Sequence, residues 1–213
     1  MDPVIVTTLG LRVRRTKRLA EAAVVVALIP AQSEEDPIED AVASLADQDS
    51  PPDLIIVCAG DCAGDMAGRA AAVGAFVFES VVNRETTAGA LNEALAVLLP
   101  ELGIEDTVLV MDPDSLLPWM FMSEASNRLR DGAGAVSTGA ATLVSVPTLR
   151  HVTWARGEGL LPGDAPQVFG EEIGELPLAL LHLGYKVVSP QGPGSRPLPA
   201  AAPVDLQGSP TPA

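Results

Sequence analysis

At 213 residues and 22.0 kDa, the chain is long enough for one substantial hydrophobic core. Its 28 acidic and 13 basic residues leave a formal charge of -15, a field that argues against nucleic acid or an anionic membrane surface as the main partner. Apolar residues make up 47% and aromatics only 3%, so packing relies on Ala, Val, Leu and Ile. Any phosphate would then need a local Arg, backbone N–H groups or a metal ion.

Residues 1–21 read as an N-terminal extension carrying the one strong basic cluster, "LRVRRTKR" at 11–18. Its charge follows the apolar residues, the reverse of a secretion signal, and no apolar run reaches membrane-spanning length. A soluble cytoplasmic protein without an integral membrane segment is the expectation. "AAVVVALIPA" at 22–31 predicts a buried strand stopped by Pro30. A helix should follow in "SEEDPIEDAVASLADQ", capped by Ser33, with Ile38, Val42 and Leu45 on one face. "LIIVCAG" is a second strand ending at Gly60, "DCAGDMAGRAAAVG" a loop and Ala-rich helix, and "AFVFES" a third strand. "TTAGALNEALAVLLPEL" predicts a helix and "DTVLVMD" a fourth strand. Beyond it, "PWMFMSEASNRLRDG" reads as a helix on the spacing of Trp119, Met122, Ala125 and Leu129. "AGAVSTGAATLVSVPTLRHV" offers one or two strands and a short helix. A helix at about 175–183, with Pro177 in its first turn and Gly184 at its C-cap, then precedes a last strand.

This rhythm predicts an α/β fold with a mainly parallel central sheet flanked by helices. Right-handed crossovers gather the strand C-terminal ends on one edge, where open α/β sheets bind ligands, and Gly60, Asp61, Asp112 and Asp114 fall at such ends. One domain should span 22–189. Residues 190–213, rich in Pro, Gly and Ala, read as a flexible tail.

Asp112 and Asp114, in "VLVMDPDSLLP", admit two readings: ligands to a divalent cation such as Mn or Mg, or an acidic strand end before a Pro-started turn. Asp61 in "CAGDCAGD" could bond a nucleobase or ribose, and Gly60 would permit close approach; a generic Gly/Asp turn is the alternative. Gln32, Glu34 and Glu35 offer polar groups at the same edge, or simply belong to a solvent-facing capping box from Ser33. Glu171, Glu172 and Glu175 could deprotonate an acceptor hydroxyl, or serve helix N-terminal electrostatics. Cys58 and Cys62 alone are too few for a metal site and read as two small buried or loop thiols. His151 and His182 do not form a catalytic pair by spacing.

The order of these pieces resembles the family 2 nucleotide-sugar glycosyltransferases with the GT-A fold, especially forms from actinobacteria and their phages. The resemblance runs over about 24–190. "VVVALIPAQSEEDPIEDAVASLADQDSPPDLIIV" looks like the opening strand, acidic turn, helix and second strand, placing Pro30, Ala31, Gln32 and Glu34 at the nucleotide. "CAGDCAGDMAGRA" occupies the nucleotide loop with Gly60 and Asp61, and "AGALN" keeps Gly89 and Asn92 in a family core stretch. "VLVMDPDS" resembles the DXD segment, which implies Asp112 near the sugar or ribose and Asp114 on the metal. "GEEIGELPLALLHLGYKVVSP" looks like the base segment.

The resemblance implies a Mn- or Mg-dependent, inverting transfer from a nucleoside-diphosphate sugar to a hydroxyl acceptor. Ile173 stands at the family's catalytic Asp position, which leaves Glu172 or Glu171 to act as base. Thr87 replaces a basic residue, Gly60 and Gly64 replace polar ones, and the downstream Gln-x-x-Arg-Trp element is missing. The same departures fit an alternative, a catalytically inactive GT-A-like binding or structural module, as a homo-oligomer or with an assembly partner, and virion-associated if it is a phage component.

Overall fold

A computed structural model describes residues 6–7, 10–11, 23–31, 33, 37–60, 63–80, 86–157 and 175–190. A short antiparallel pair, β1 (Val6–Thr7) and β2 (Gly10–Leu11), precedes the main sheet. In chain order the rest is β3 (Val25–Ala31), α1 (Ile38–Ala46), β4 (Leu54–Ala59), α2 (Ala63–Ala72), β5 (Phe76–Glu79), α3 (Thr87–Leu98) and β6 (Thr107–Met111). It continues with α4 (Phe121–Arg130), β7 (Ala135–Ser137), β8 (Ala141–Ser145), α5 (Val146–Gly157), α6 (Glu175–His182) and β9 (Val187–Val188). The 7-stranded sheet has the order β5-β4-β3-β6-β8-β7-β9. Only β8 opposes the others, pairing antiparallel with both β6 and β7. The α/β, mainly parallel expectation therefore holds.

The continuous apolar runs of β3, β4 and β6 follow from burial on both faces, since successive side chains point to opposite sides. Val26, Leu28, Ile56, Cys58, Val108 and Val110 pack with residues of α3, α5 and α6. Ala27, Ile29, Val57, Ala59, Leu109 and Met111 pack with residues of α1, α2 and α4 on the other side. α1 buries Ile38, Ala41, Val42 and Leu45, the predicted face extended by one alanine. A bidentate pair from Arg69 to Glu39, both contacts at 2.6 Å, ties α2 to α1 and holds the Glu39 carboxyl below its ordinary range.

Three expectations need correction. Pro30 does not stop the first strand, which continues through Ala31 in register with Ala59. Val24 accepts from Thr107 N–H and Val25 from Asp53 N–H, so even-numbered residues of this strand turn their backbone groups toward β6. Pro30 is one of these and brings no N–H, so the ladder to β6 ends at Leu28↔Val110 although β6 runs on to Met111, while pairing with β4 continues through Ala31. Ser33 does not cap α1, which starts at Ile38 behind Pro37 with no side-chain cap bond. Trp119 is not on the buried face of α4. It precedes the helix, 63% exposed, and Phe121 fills the core instead.

Two glycines are used for their missing side chain. Gly184 adopts φ +82 at the end of α6, as its predicted C-cap position requires. Gly134, before β7, lies against Tyr185: a Cβ added there would stand 2.7 Å from that ring. Tyr185 in turn bonds His151 Nδ1 through its hydroxyl at 2.6 Å. Gly134→Ala is therefore expected to cost about 1–3 kcal/mol by overpacking, measured as a lower urea midpoint, and a Tyr185→Ala background should remove most of that cost.

Candidate functional site

The sheet reverses its winding between β3 and β6: β4 and β5 lie on one side of β3, while β6 and all later strands lie on the other. Crevices of open α/β sheets form at this point, outside the strand C-terminal ends. Pro30 and Ala31 close β3 there, and buried Gly60 follows β4, its N–H donating to Ala31 O at 3.3 Å. Continuing the β3–β6 register would set Pro30 opposite Asp112, just past the last pair. Asp112 is itself fixed to the next strand, its N–H donating to Ala140 O at 2.9 Å.

The acidic pair forms a turn. Ser115 N–H donates to Asp112 O at 3.2 Å across Pro113 and Asp114, with proline at the position where its locked φ favours the turn. Asp112 is half-buried and Asp114 exposed. Loss of solvent raises the Asp112 carboxyl above its ordinary range, and the negative charge of Asp114 raises it further. Among the described residues neither carboxylate has an ion-pair partner. Two hard oxygen donors at a strand end suit Mg or Mn, although no group of three or more His, Cys, Asp or Glu side chains gathers around one point among the described residues.

The "AGALN" stretch forms the start of α3. Thr86 caps it in an extended conformation, its hydroxyl accepting from Gly89 N–H at 3.0 Å. That bond engages the Gly89 N–H within the cap. Asn92 is only 6% exposed on the same helix, so its place is in the wall of the fold rather than on its surface. Gln32, Glu34, Asp61, Glu171 and Glu172, with Ile173, lie outside the described residues. The structure thus brings Pro30, Ala31, Gly60, Asp112 and Asp114 to one edge.

Cys58 is a buried, free thiol in the core of β4, and burial pushes its pKa upward, which suppresses the reactive thiolate. In a Cys62→Ser background, Cys58 is expected to resist maleimide in the native state and to label fully in denaturant. Fast native labelling would contradict its place in the core.

Sequence reasoning missed two polar anchors. Asp106 is 1% exposed, and its carboxylate accepts from Val24 N–H at 2.8 Å and Gly103 N–H at 2.6 Å, fastening the start of β3 beside β6. Gln48, 5% exposed, bonds Leu117 O at 3.4 Å and accepts from Met122 N–H at 3.1 Å. Val24, Leu117 and Met122 each lie 69 to 82 positions from the residue that anchors them, and no local pattern marks Asp106 or Gln48.

No protein-family profile matches the chain, and no curated protein matches its sequence. Similarity to solved structures is clear. Glucosyl-3-phosphoglycerate synthase from Mycobacterium tuberculosis, in complex with Mn2+, UDP and glucosyl-3-phosphoglycerate, superposes with TM-score 0.55 at 22% identity, over 79% of this chain and 69% of that one. The same enzyme with Mg2+ and UDP gives the same TM-score and coverage. A 4-diphosphocytidyl-2C-methyl-D-erythritol synthase reaches TM-score 0.56 at 17% identity, over 81% of this chain and 91% of that one. At these identities the likeness speaks for architecture alone. With its strand order and its reversal between β3 and β6, the chain has a GT-A-like, Rossmann-related α/β fold.

Proposed function

We propose that this protein binds a nucleoside-diphosphate sugar at the carboxyl edge of its sheet and transfers the sugar to a hydroxyl acceptor with inversion. The observation that carries the reading is the acidic turn at 112–115, held at the reversal point between β3 and β6. Asp112 and Asp114 would be the oxygen ligands to Mn or Mg, and a bound cation would offset the charge of the departing diphosphate. Gly60 leaves room for the nucleotide above β4, and Asp61 would bond its base or ribose. Pro30, Ala31, Gln32 and Glu34 would line the nucleotide from the end of β3, with Gly89 and Asn92 shaping α3 beneath it. Glu172, or Glu171 beside it, would take the proton of the acceptor hydroxyl. Mn2+, Mg2+ and UDP in the structures of the mycobacterial synthase support this reading by analogy of fold.

Calorimetric titration with UDP and GDP, with and without Mn, tests it. Binding of one nucleotide that requires Mn is expected, and no binding under any condition would refute the proposal. A second reading, a catalytically silent binding module in an assembly, is favoured by Ile173, which cannot accept a proton. Mn-dependent binding without donor hydrolysis or transfer across an acceptor panel would select it, whereas turnover would dismiss it.

A further inference from the structure

Beside the acidic turn, on the same sheet edge, lies an open cavity of about 500 Å³, within the range of small-molecule sites. Trp119, Met120, Glu124, Thr138, Ser189 and Pro190 line it. It adjoins the 112–115 turn through one tight hairpin. Thr138 forms its wall, and Ala140, two residues on, holds the Asp112 N–H. The same chain segment that leaves the turn, 116–120, supplies the other wall.

Trp119 stands out because it is both exposed and held. The residue is 63% exposed, yet its carbonyl accepts from Asp49 N–H at 2.9 Å. On either side, the buried Gln48 amide clamps Leu117 O and Met122 N–H. A large apolar ring presented to water on a pinned backbone is a preorganised surface for a ligand face. Opposite chemistry is present as well. Glu124 is half-buried, and its carboxylate has no hydrogen-bond or ion-pair partner among the described residues. Ser189 adds a hydroxyl, while the Thr138 hydroxyl is engaged with Ala141 in the hairpin, accepting from its N–H at 3.1 Å. No Lys or Arg is among the lining residues, in a chain whose formal charge is -15.

We propose that this cavity is the acceptor subsite and that it takes an uncharged, polyhydroxylated compound such as a neutral sugar, not a phosphorylated or carboxylated one. A sugar ring presents apolar C–H faces and hydroxyl edges. Trp119 fits the former; the Glu124 carboxylate, which can only accept hydrogen bonds, fits the latter. An anion would face the Glu124 charge with no cation in the described wall to offset it. The role as acceptor subsite rests on the transferase reading above, whereas the preference for a neutral polyol rests on the cavity alone.

The test uses the full chain in a Trp154→Phe background, which leaves Trp119 as the sole tryptophan of the chain's 2. Methyl glucoside, methyl mannoside, trehalose and phosphoglyceric acid are titrated to high millimolar concentration while Trp119 emission is followed. At least one neutral sugar should give a saturable change, and phosphoglyceric acid none. Trp119→Ala, read by calorimetry, and Glu124→Gln, read by emission, should each weaken sugar binding roughly tenfold, the loss of a central contact, without altering Mn-dependent UDP binding. A response to phosphoglyceric acid alone, or to no probe, overturns the proposal. If UDP–Mn binds while sugars do not, the cavity inference fails and the donor-site reading stands. If sugars bind and no nucleotide does, the transferase reading fails and the neutral-sugar site stands.

Discussion

Asp114→Ala is expected to weaken Mn-dependent nucleotide binding at least about tenfold, the equivalent of about 1.4 kcal/mol, while leaving folding stability within about 0.5 kcal/mol of the parent. The two outcomes separate because Asp114 is exposed and has no ion-pair partner among the described residues, so little of the fold depends on it. Calorimetry with and without Mn measures the first effect, and urea unfolding the second. Equal nucleotide affinity in parent and variant would remove Asp114 from the site.

Asp112 adds a pH signature. Its carboxyl titrates above the ordinary aspartate range in the folded chain, first through lost solvation and then through the Asp114 charge. The native state therefore binds this proton more tightly than the unfolded state. The sign follows: Asp112 subtracts stability as pH rises from the ordinary aspartate value through its raised one, and below that window the penalty is absent. Asp112→Asn should raise the unfolding midpoint at neutral pH and lose that advantage in acid. The proposed Mn binding should weaken over the same window as pH is lowered, because a cation held there would compete with the proton for one carboxylate.

Asp106→Ala is expected to be among the most damaging single substitutions in the chain, costing about 3–4 kcal/mol. Val24 N–H and Gly103 N–H each make a charge-assisted bond to its buried carboxylate, each worth about 1.5–3 kcal/mol, with the Gly103 bond discounted for partial exposure. The substitution strands the Val24 N–H where water cannot reach it. Its neighbours amplify the loss: the Asp106 carbonyl also accepts from Val146 N–H at 3.0 Å, so the residue fastens the starts of β3 and α5 together. Asp106→Asn keeps one carbonyl acceptor and should recover about half of the loss. Urea midpoints within about 1 kcal/mol of the parent for Asp106→Ala would show that the two amides find other partners.

Elements whose burial repeats along the chain were legible in advance. The apolar runs of β3, β4 and β6, the Ile38–Val42–Leu45 face and the Gly184 cap each carry a local pattern with one physical cause. The misread features depend on partners instead. Pro30 reads as a stop because proline lacks a donor, and the missing donor does end the β3–β6 ladder at Leu28↔Val110, but β3 runs on through Ala31 because its other edge still pairs with β4. Trp119 has helical spacing with Met122, but it lies in a separate turn closed by Phe121 N–H on Pro118 O, its own carbonyl accepts from Asp49 N–H, and α4 starts only at Phe121.

The site divides in the same way. Asp112 and Asp114 were recognisable as a strand end followed by a proline turn, and the alternation of strands and helices was enough to send that end to the carboxyl edge of the sheet. Local composition determines such features, because burial period, turn chemistry and strand length act over a few residues. Tertiary structure alone decided the rest: the reversal between β3 and β6, the Ala140 carbonyl just ahead of β8 that accepts from the Asp112 amide, and the Asp49 N–H and Gln48 side chain that hold the 117–122 segment beside an open cavity. Those depend on contacts between residues 28 to 82 positions apart, and long-range pairing leaves no periodic trace in the chain that forms it.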